Sequence, residues 1–264
     1  MDLGLQGKHA IITGGSDGIG FAVADALAQE GVQVLICARD KEHVEKAANE
    51  IADKRGVKAI GVSCDVVKPE DIERTIKVAE SEFGQVEFLV NNAGTGTSET
   101  IMDATDEKWQ QHWDLHVMAA IRFTRLVVPL MKKAGEGVIL NTSSICAKQP
   151  LGYEPIYNVT KAALSMLGKC MSNEFVKDNI RVNNVNPGLV ETRDWRKTAG
   201  ILSEGTDQTP EQYLKGVAEY YAPIERFSSP EEIAPFYVFL CSNKASYSVG
   251  SSYYIDGGML KVVE

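Results

Sequence analysis

The chain has 264 residues, enough to bury a full core in a single domain, and its 44% apolar and 24% charged residues exclude a disordered or low-complexity protein. With 27 basic against 36 acidic residues, its net charge of −9 offers no basic face to a phosphate backbone and argues against a nucleic-acid partner. Cys37, Cys64, Cys146, Cys170 and Cys241 contain no CxxC pair, no secretory leader or long apolar run is visible, and a reduced, cytoplasmic protein without a disulfide framework, zinc site or membrane span is expected.

From the N-terminus onward, short β-branched runs alternate with longer segments of helical periodicity, the pattern of repeated βαβ units. Strands are expected over 9–13, 33–37, 59–64, 88–91, 138–141, 181–186 and 252–255. Several are apolar without alternation, as suits strands covered on both faces. Helices are expected over about 19–29, closing at Gly31, then after the N-cap residue Asp40, and over about 69–83, 106–133, 157–177 and 230–240. The fold class is therefore α/β: one domain over 1–264, a Rossmann-type doubly wound parallel sheet of about seven strands with helices on both faces. The alternation breaks over about 193–222, where Gly200, Gly205 and Pro210 interrupt a stretch carrying Trp195, Tyr213, Tyr220 and Tyr221. So long a connection reads as a substrate lid, against the plainer reading of a surface insertion.

The first strand runs into Thr13-Gly14-Gly15-Ser16-Asp17-Gly18-Ile19-Gly20 and then a helix. In that context Gly14, Gly18 and Gly20 let the backbone approach a pyrophosphate, whose charge the amides of the helix N-terminus face. Further along, Ser144 is followed by Tyr157 and Lys161. Tyr157 and Lys161 stand four apart on one helix face, so a phenol and an ammonium share a site. A cation beside a phenol lowers its pKa from about 10, which makes Tyr157 a general acid/base.

The TGxxxGxG spacing, Asn91-Asn92-Ala93-Gly94, the Ser144–Tyr157–Lys161 set, Asn186-Pro187-Gly188-Leu189-Val190-Glu191-Thr192 and Asp256-Gly257-Gly258 resemble the short-chain dehydrogenase/reductase (SDR) family over about 7–258. The resemblance implies an oxidoreductase that moves a hydride between a nicotinamide dinucleotide and a small-molecule alcohol or carbonyl. In it the tyrosine exchanges a proton with the substrate oxygen, the lysine also holds the nicotinamide ribose, and the serine orients the substrate. Ser144 is preferred for that last role, with Ser143 adjacent to it. Cofactor contacts are implied at Gly14, Ser16, Asp17, Gly18, Ile19, Gly20, Asp65, Val66, Asn92, Ala93, Gly94, Tyr157, Lys161, Pro187, Gly188, Val190 and Thr192.

By the same resemblance, the carboxylate that would select NAD falls at Ala38, and Arg39 stands where a 2′-phosphate is commonly bound, so NADP(H) is favoured over NAD(H). Asp17, at a loop position often basic in NADP-preferring relatives, weighs the other way, and Asp40 reads more simply as a helix cap. The fourth catalytic residue of many relatives, an asparagine, is replaced by His116, which either keeps a proton relay or packs on the helix while a backbone carbonyl carries it. Ile145, Cys146, Lys148, Gln149, Tyr153 and the 193–222 segment are expected to line the pocket, with Lys148, Arg193 or Arg196 available to an anionic substrate. No catalytic metal is implied, and assembly into a homodimer or homotetramer through the long helices is. Two other readings stay open: an NAD-dependent catabolic alcohol or polyol dehydrogenase, and a non-catalytic dinucleotide-binding sensor.

Overall fold

The computed structural model describes residues 2–151 and 154–262. Strands β1 (His9–Thr13), β2 (Gln33–Ala38), β3 (Ala59–Ser63), β4 (Phe88–Asn91), β5 (Gly137–Thr142), β6 (Ile180–Pro187) and β7 (Ser252–Ile255) form one parallel sheet in the order β3-β2-β1-β4-β5-β6-β7. The order runs outward in both directions from the β1–β4 pair, and at such a reversal the connections leave to opposite faces and open a crevice at the C-terminal strand ends.

The helices are α1 (Gly18–Gln29), α2 (Lys41–Arg55), α3 (Pro69–Phe83), α4 (Asp106–Trp113), α5 (Ala119–Ala134), α6 (Pro155–Phe175), α7 (Arg193–Ser203), α8 (Pro210–Tyr221) and α9 (Pro230–Cys241). Successive strand residues point to opposite faces, so an uninterrupted apolar strand feeds two cores at once. Ala10, Ile12, Val34 and Ile36 pack with α1, α2 and α9, whereas Ile11, Leu35, Leu89 and Ile139 pack with α3, α5 and Met171 of α6. Asp40 caps α2 by accepting from the His43 amide at 3.0 Å, as read from the sequence. Among the described residues no helix is long and apolar enough to cross a membrane.

Two segments differ from the expectation. The span 106–133 is not one helix: α4 and α5 are separated by a π-helical turn, Asp114–Met118, and the wider turn brings both His116 and Val117 inward. A single inserted residue leaves hydropathy periodicity almost unchanged, so the sequence pattern does not reveal it. The 193–222 span folds as two helices, α7 capped by Thr192 and α8 by a Thr209–Gln212 capping box.

Three asparagines in register tie the upper sheet together. The Asn91 amide donates to Asn141 Oδ1 at 2.9 Å, Asn141 to Asn184 Oδ1 at 3.1 Å, and Asn184 to the Ser165 carbonyl of α6 at 3.0 Å. Gly168 lets α6 lie on this ladder, since a Cβ there would stand 2.9 Å from Asn141 Nδ2 and closer still to Asn184 Oδ1. Gly168→Ala is expected to lower stability by about 1–3 kcal/mol through overpacking and broken buried bonds. Urea denaturation checks this, and an unchanged midpoint contradicts the close approach.

Candidate active site

The crevice begins at the turn between β1 and α1. Gly14 and Gly18 hold positive φ, +64 and +54, which glycine adopts without strain. Side chains would also collide here: a Cβ on Gly14 would lie 3.0 Å from Ala93 Cα, on Gly20 2.6 Å from Asn92 Nδ2, and on Gly18 3.3 Å from the Thr192 methyl. The result is a bare-backbone cradle beside the N-terminus of α1, with Ser16 in the turn and Ile19 in the first helical turn, and it fits a dinucleotide pyrophosphate.

Asn92 is a brace of this cradle. Its amide donates to the carbonyls of Thr13 at 3.0 Å and Gly14 at 3.3 Å, while Thr13 Oγ1 accepts from the amides of Asn92 and Ala93. Asp17 caps α1, its carboxylate accepting from the Gly18 amide at 2.7 Å. At the end of β2, Arg39 is exposed, and among the described residues no hydrogen bond or ion pair engages its guanidinium, whereas the carboxylate of Asp40 is occupied by its own helix. Asp65 and the buried Val66 lie just beyond β3, where Asp65 Oδ1 accepts from the Val67 amide at 3.3 Å. Gly188, after Pro187, brings the end of β6 against the backbone of Asp256, and the buried Val190 bridges to Ser228.

The chemical end sits where β5 meets α6. Ser144 follows β5 directly, its Oγ accepting from the Cys146 amide at 3.1 Å and hydrogen-bonded to Tyr157. Ser143 is committed elsewhere: its hydroxyl donates to the Lys161 carbonyl at 3.0 Å and meets Ser165 Oγ at 2.7 Å. Of the two serines, Ser144 is thus the one whose hydroxyl is not committed to Lys161 and Ser165. Lys161 is only 3% exposed, its Nζ donating to the Thr142 carbonyl at 2.8 Å and lying 5.4 Å from the Tyr157 ring centre.

His116, 2% exposed, completes the cluster, its ring edge-on to Tyr157 at 5.6 Å. Its Nδ1 is 2.8 Å from Thr160 Oγ1, whose hydroxyl is spent on the Ile156 carbonyl, so Nδ1 donates and Nε2 accepts from the Thr95 amide at 3.4 Å. Gly94 permits this packing, since a Cβ there would stand 3.0 Å from His116 Nε2 and 3.4 Å from Lys161 Nζ.

Burial dominates the titration of the site. It lifts the Tyr157 phenol well above its ordinary value, with Cys146 and Glu154 adding to the rise and the Ser144 hydrogen bond opposing it. It pushes Lys161 down to about 8 and Glu154 up to about 7. It also holds His116, next to Lys161, well below the usual imidazole range and therefore neutral. The expectation that Lys161 lowers the phenol pKa is thus reversed: the ammonium is turned to the Thr142 carbonyl, and desolvation outweighs it. At neutral pH Tyr157 is a proton donor.

Over this centre, Ile145, Cys146, Leu151, Leu189, Ala218 and Met259 pack with Trp195 and Phe227. Gln149 is half-buried. It clasps a later segment, donating to the Met259 carbonyl and accepting from the Lys261 amide. Arg196 is paired with Glu191 at 2.9 Å, Arg193 is exposed, and Tyr153 lies outside the described residues. Two residues escaped the sequence reading: Glu154, whose charge reaches Tyr157, and Thr95 on His116; Asp194, within the 193–222 segment, accepts from the Thr95 hydroxyl at 3.1 Å. Thr95 acts across a long-range contact that no local pattern marks, whereas Glu154, three residues before Tyr157 at the start of α6, was within reach of a local reading. Among the described residues no group of three or more His, Cys, Asp or Glu is arranged to hold a metal ion.

The chain is similar to known proteins over nearly its whole length. A family profile described as enoyl-(acyl carrier protein) reductase matches residues 14–260. Human dehydrogenase/reductase SDR family member 4 is 37% identical over 96% of this chain and 88% of its own length. L-sorbose reductase from Gluconobacter frateurii, solved with NADPH and L-sorbose, is 52% identical over 100% of both chains and superimposes with a TM-score of 0.98.

The buried lysine has a measurable cost. Lys161 titrates near 8 when folded against an ordinary 10.5, so the folded chain carries a penalty that is full below about pH 8 and fades as pH rises towards 10.5. Lys161→Met is expected to raise stability by about 2 kcal/mol near neutral pH, after the lost Thr142 hydrogen bond is discounted, and by less near pH 10. Urea titrations at the two pH values check the sign, and a gain that grows with pH contradicts it.

Proposed function

Because the chain belongs to the short-chain dehydrogenase/reductase family, whose members act on alcohol and carbonyl groups with a nicotinamide nucleotide, we propose that it is an NADP(H)-dependent reductase of a ketose or similar polyhydroxy ketone. The observation that carries the reading is the meeting of Ser144, Tyr157 and Lys161 at the β5–α6 junction, with Tyr157 protonated and hydrogen-bonded to Ser144.

In this reading the Gly14–Gly20 cradle holds the pyrophosphate, Asp65 and Val66 flank the adenine, and Thr192 with the Pro187–Val190 stretch and Gly94 line the nicotinamide end. Bound there, the nucleotide supplies the hydride. Tyr157 gives its proton to the carbonyl oxygen, which Ser144 orients by a hydrogen bond. Lys161, one helical turn away, offsets the charge left on the phenolate and holds the nicotinamide ribose. His116 has both ring nitrogens bonded and stays neutral, so it acts by holding Gly94 and Thr95 in place beside Lys161.

Arg39 supports the NADP(H) preference, being a cation with no internal partner beside the position of the ribose. The ketose reading draws on the L-sorbose bound by the 52%-identical relative and on the acids nearest Tyr157, Glu154 and Asp194, which suit hydroxyl donors and repel anionic substrates. That argues against pairing an anion with Lys148, Arg193 or Arg196. Exposed apolar residues on the long helices, Leu126 of α5 with Val159 and Met166 of α6, support assembly into homodimers or homotetramers. A cytoplasmic location is part of the same reading. The NAD-dependent polyol dehydrogenase reading keeps one observation in its favour, the exposed Asp17 carboxylate at the mouth of the cradle.

Fluorescence titration with NADPH and NADH tests the cofactor. NADPH is expected to bind at least about tenfold tighter, and Arg39→Ala to remove that preference by losing a charge-assisted contact. A preference for NADH, indifferent to Arg39, moves the assignment to the catabolic dehydrogenase. Tyr157→Phe is expected to bind NADPH normally while losing about 10²–10⁴-fold of its activity towards ketoses such as L-sorbose. Full activity in that variant refutes the assignment.

A further inference from the structure

The first turn of α7 and the imidazole of His116 are hydrogen-bonded to the same residue. Thr95 donates its backbone amide to His116 Nε2 at 3.4 Å and its hydroxyl to Asp194 Oδ2 at 3.1 Å. The segment between Asn91 and Asp106 contains no helix or strand, so the position of the Thr95 amide is not set by a backbone ladder. Gly94 brings this segment directly onto the His116 ring. On the far side, Asp194 follows Arg193 in the first turn of α7, whose cap Thr192 packs its methyl against Gly18 of the cofactor cradle.

An imidazole bonded at one edge only retains freedom about its ring torsion, and a second bond at the opposite edge removes it. Thr160 supplies the first bond, from α6, and Thr95 the second. Among the described residues no hydrogen bond joins Asp194 to Ser144, Tyr157 or Lys161, so its mechanical route to the reacting groups runs through Thr95.

We infer that Asp194 is a positioning residue: by taking the Thr95 hydroxyl it fixes the segment whose amide orients His116, so that docking of α7 over the pocket and setting of the imidazole are one event. This rests on the reading of Ser144, Tyr157, Lys161 and His116 as the reacting centre.

Both Thr95 and Asp194 are exposed, so their variants are expected to fold. The test combines steady-state kinetics with NADPH and L-sorbose and the imidazole nitrogen chemical shifts of histidine-labelled full-length protein, with His116 assigned by its replacement with glutamine. Asp194→Leu and Thr95→Val are each expected to lower kcat by roughly 10- to 100-fold with KM for NADPH unchanged, the cost of a misplaced group. Asp194→Leu moves the His116 Nε2 shift towards that of an unbonded nitrogen. Asp194→Asn, which keeps an oxygen to accept the Thr95 hydroxyl, restores both readouts. In the double variant Thr95→Val with Asp194→Leu, the loss equals that of either single, as for two parts of one linkage. An Nε2 shift unmoved by Asp194→Leu, or losses that multiply in the double variant, overturns the inference. The nitrogen shifts are read without turnover, so a protein that reduces no ketose would refute the proposed function and still answer this question.

Discussion

The site depends on how α6 is fastened to the end of β5. Lys161 is held at both ends: its ammonium donates to the Thr142 carbonyl, and its own carbonyl accepts from Ser143. That double attachment fixes the height and rotation of α6, and with them Tyr157 one turn earlier and Thr160, which receives His116. Ser144, the next residue along from this anchor, is thereby carried to the phenol. Asn184, which donates to the Ser165 carbonyl, and Ser143, which meets the Ser165 hydroxyl, hold the next turn of α6 to the same strand ends, so Ser144, Tyr157 and Lys161 share one origin.

Fastening a helix by a buried ammonium has an electrostatic consequence. Desolvation disfavours every charged form in the cluster, so the phenol is kept protonated, the imidazole neutral and the lysine poised near its own titration. A phenol that stays protonated at neutral pH follows from packing alone. The nearby acids Glu154 and Asp194 act in the same direction on Tyr157, so charge and burial favour the same protonation state.

Much of this was legible in the sequence, for identifiable reasons. Several strands announce themselves because a doubly covered parallel strand is largely apolar on both faces, and the glycine-rich turn because Gly14 and Gly18 occupy conformations and Gly20 a space that few other residues tolerate. The Ser144–Tyr157–Lys161 set is short-range, fixed by one helical turn and one strand end. What stayed hidden depends on tertiary distance. The π-helical turn at His116 changes one hydrogen-bonding step within an unbroken helical pattern, and α7 and α8 carry glycines that weaken their helical signal. Thr95 and Asp194, a bonded pair, are 99 residues apart along the chain. The sign of the Tyr157 shift was misjudged because spacing shows that a cation is adjacent and says nothing of which way it points or how dry the site is.

The asparagine ladder across β4, β5 and β6 couples three strands energetically. Asn91, Asn141 and Asn184 are each donor to the next, and all are buried. Replacing the middle rung alone strands an amide on one neighbour and an oxygen on the other, at about 1–3 kcal/mol for each group left without a partner. Loss of all three together leaves no orphan within the ladder, although the Ser165 carbonyl and the Ser252 hydroxyl then lose the Asn184 amide. Substitutions within the triplet are therefore expected to be non-additive, the three asparagines acting as one energetic unit although they lie on three separate strands.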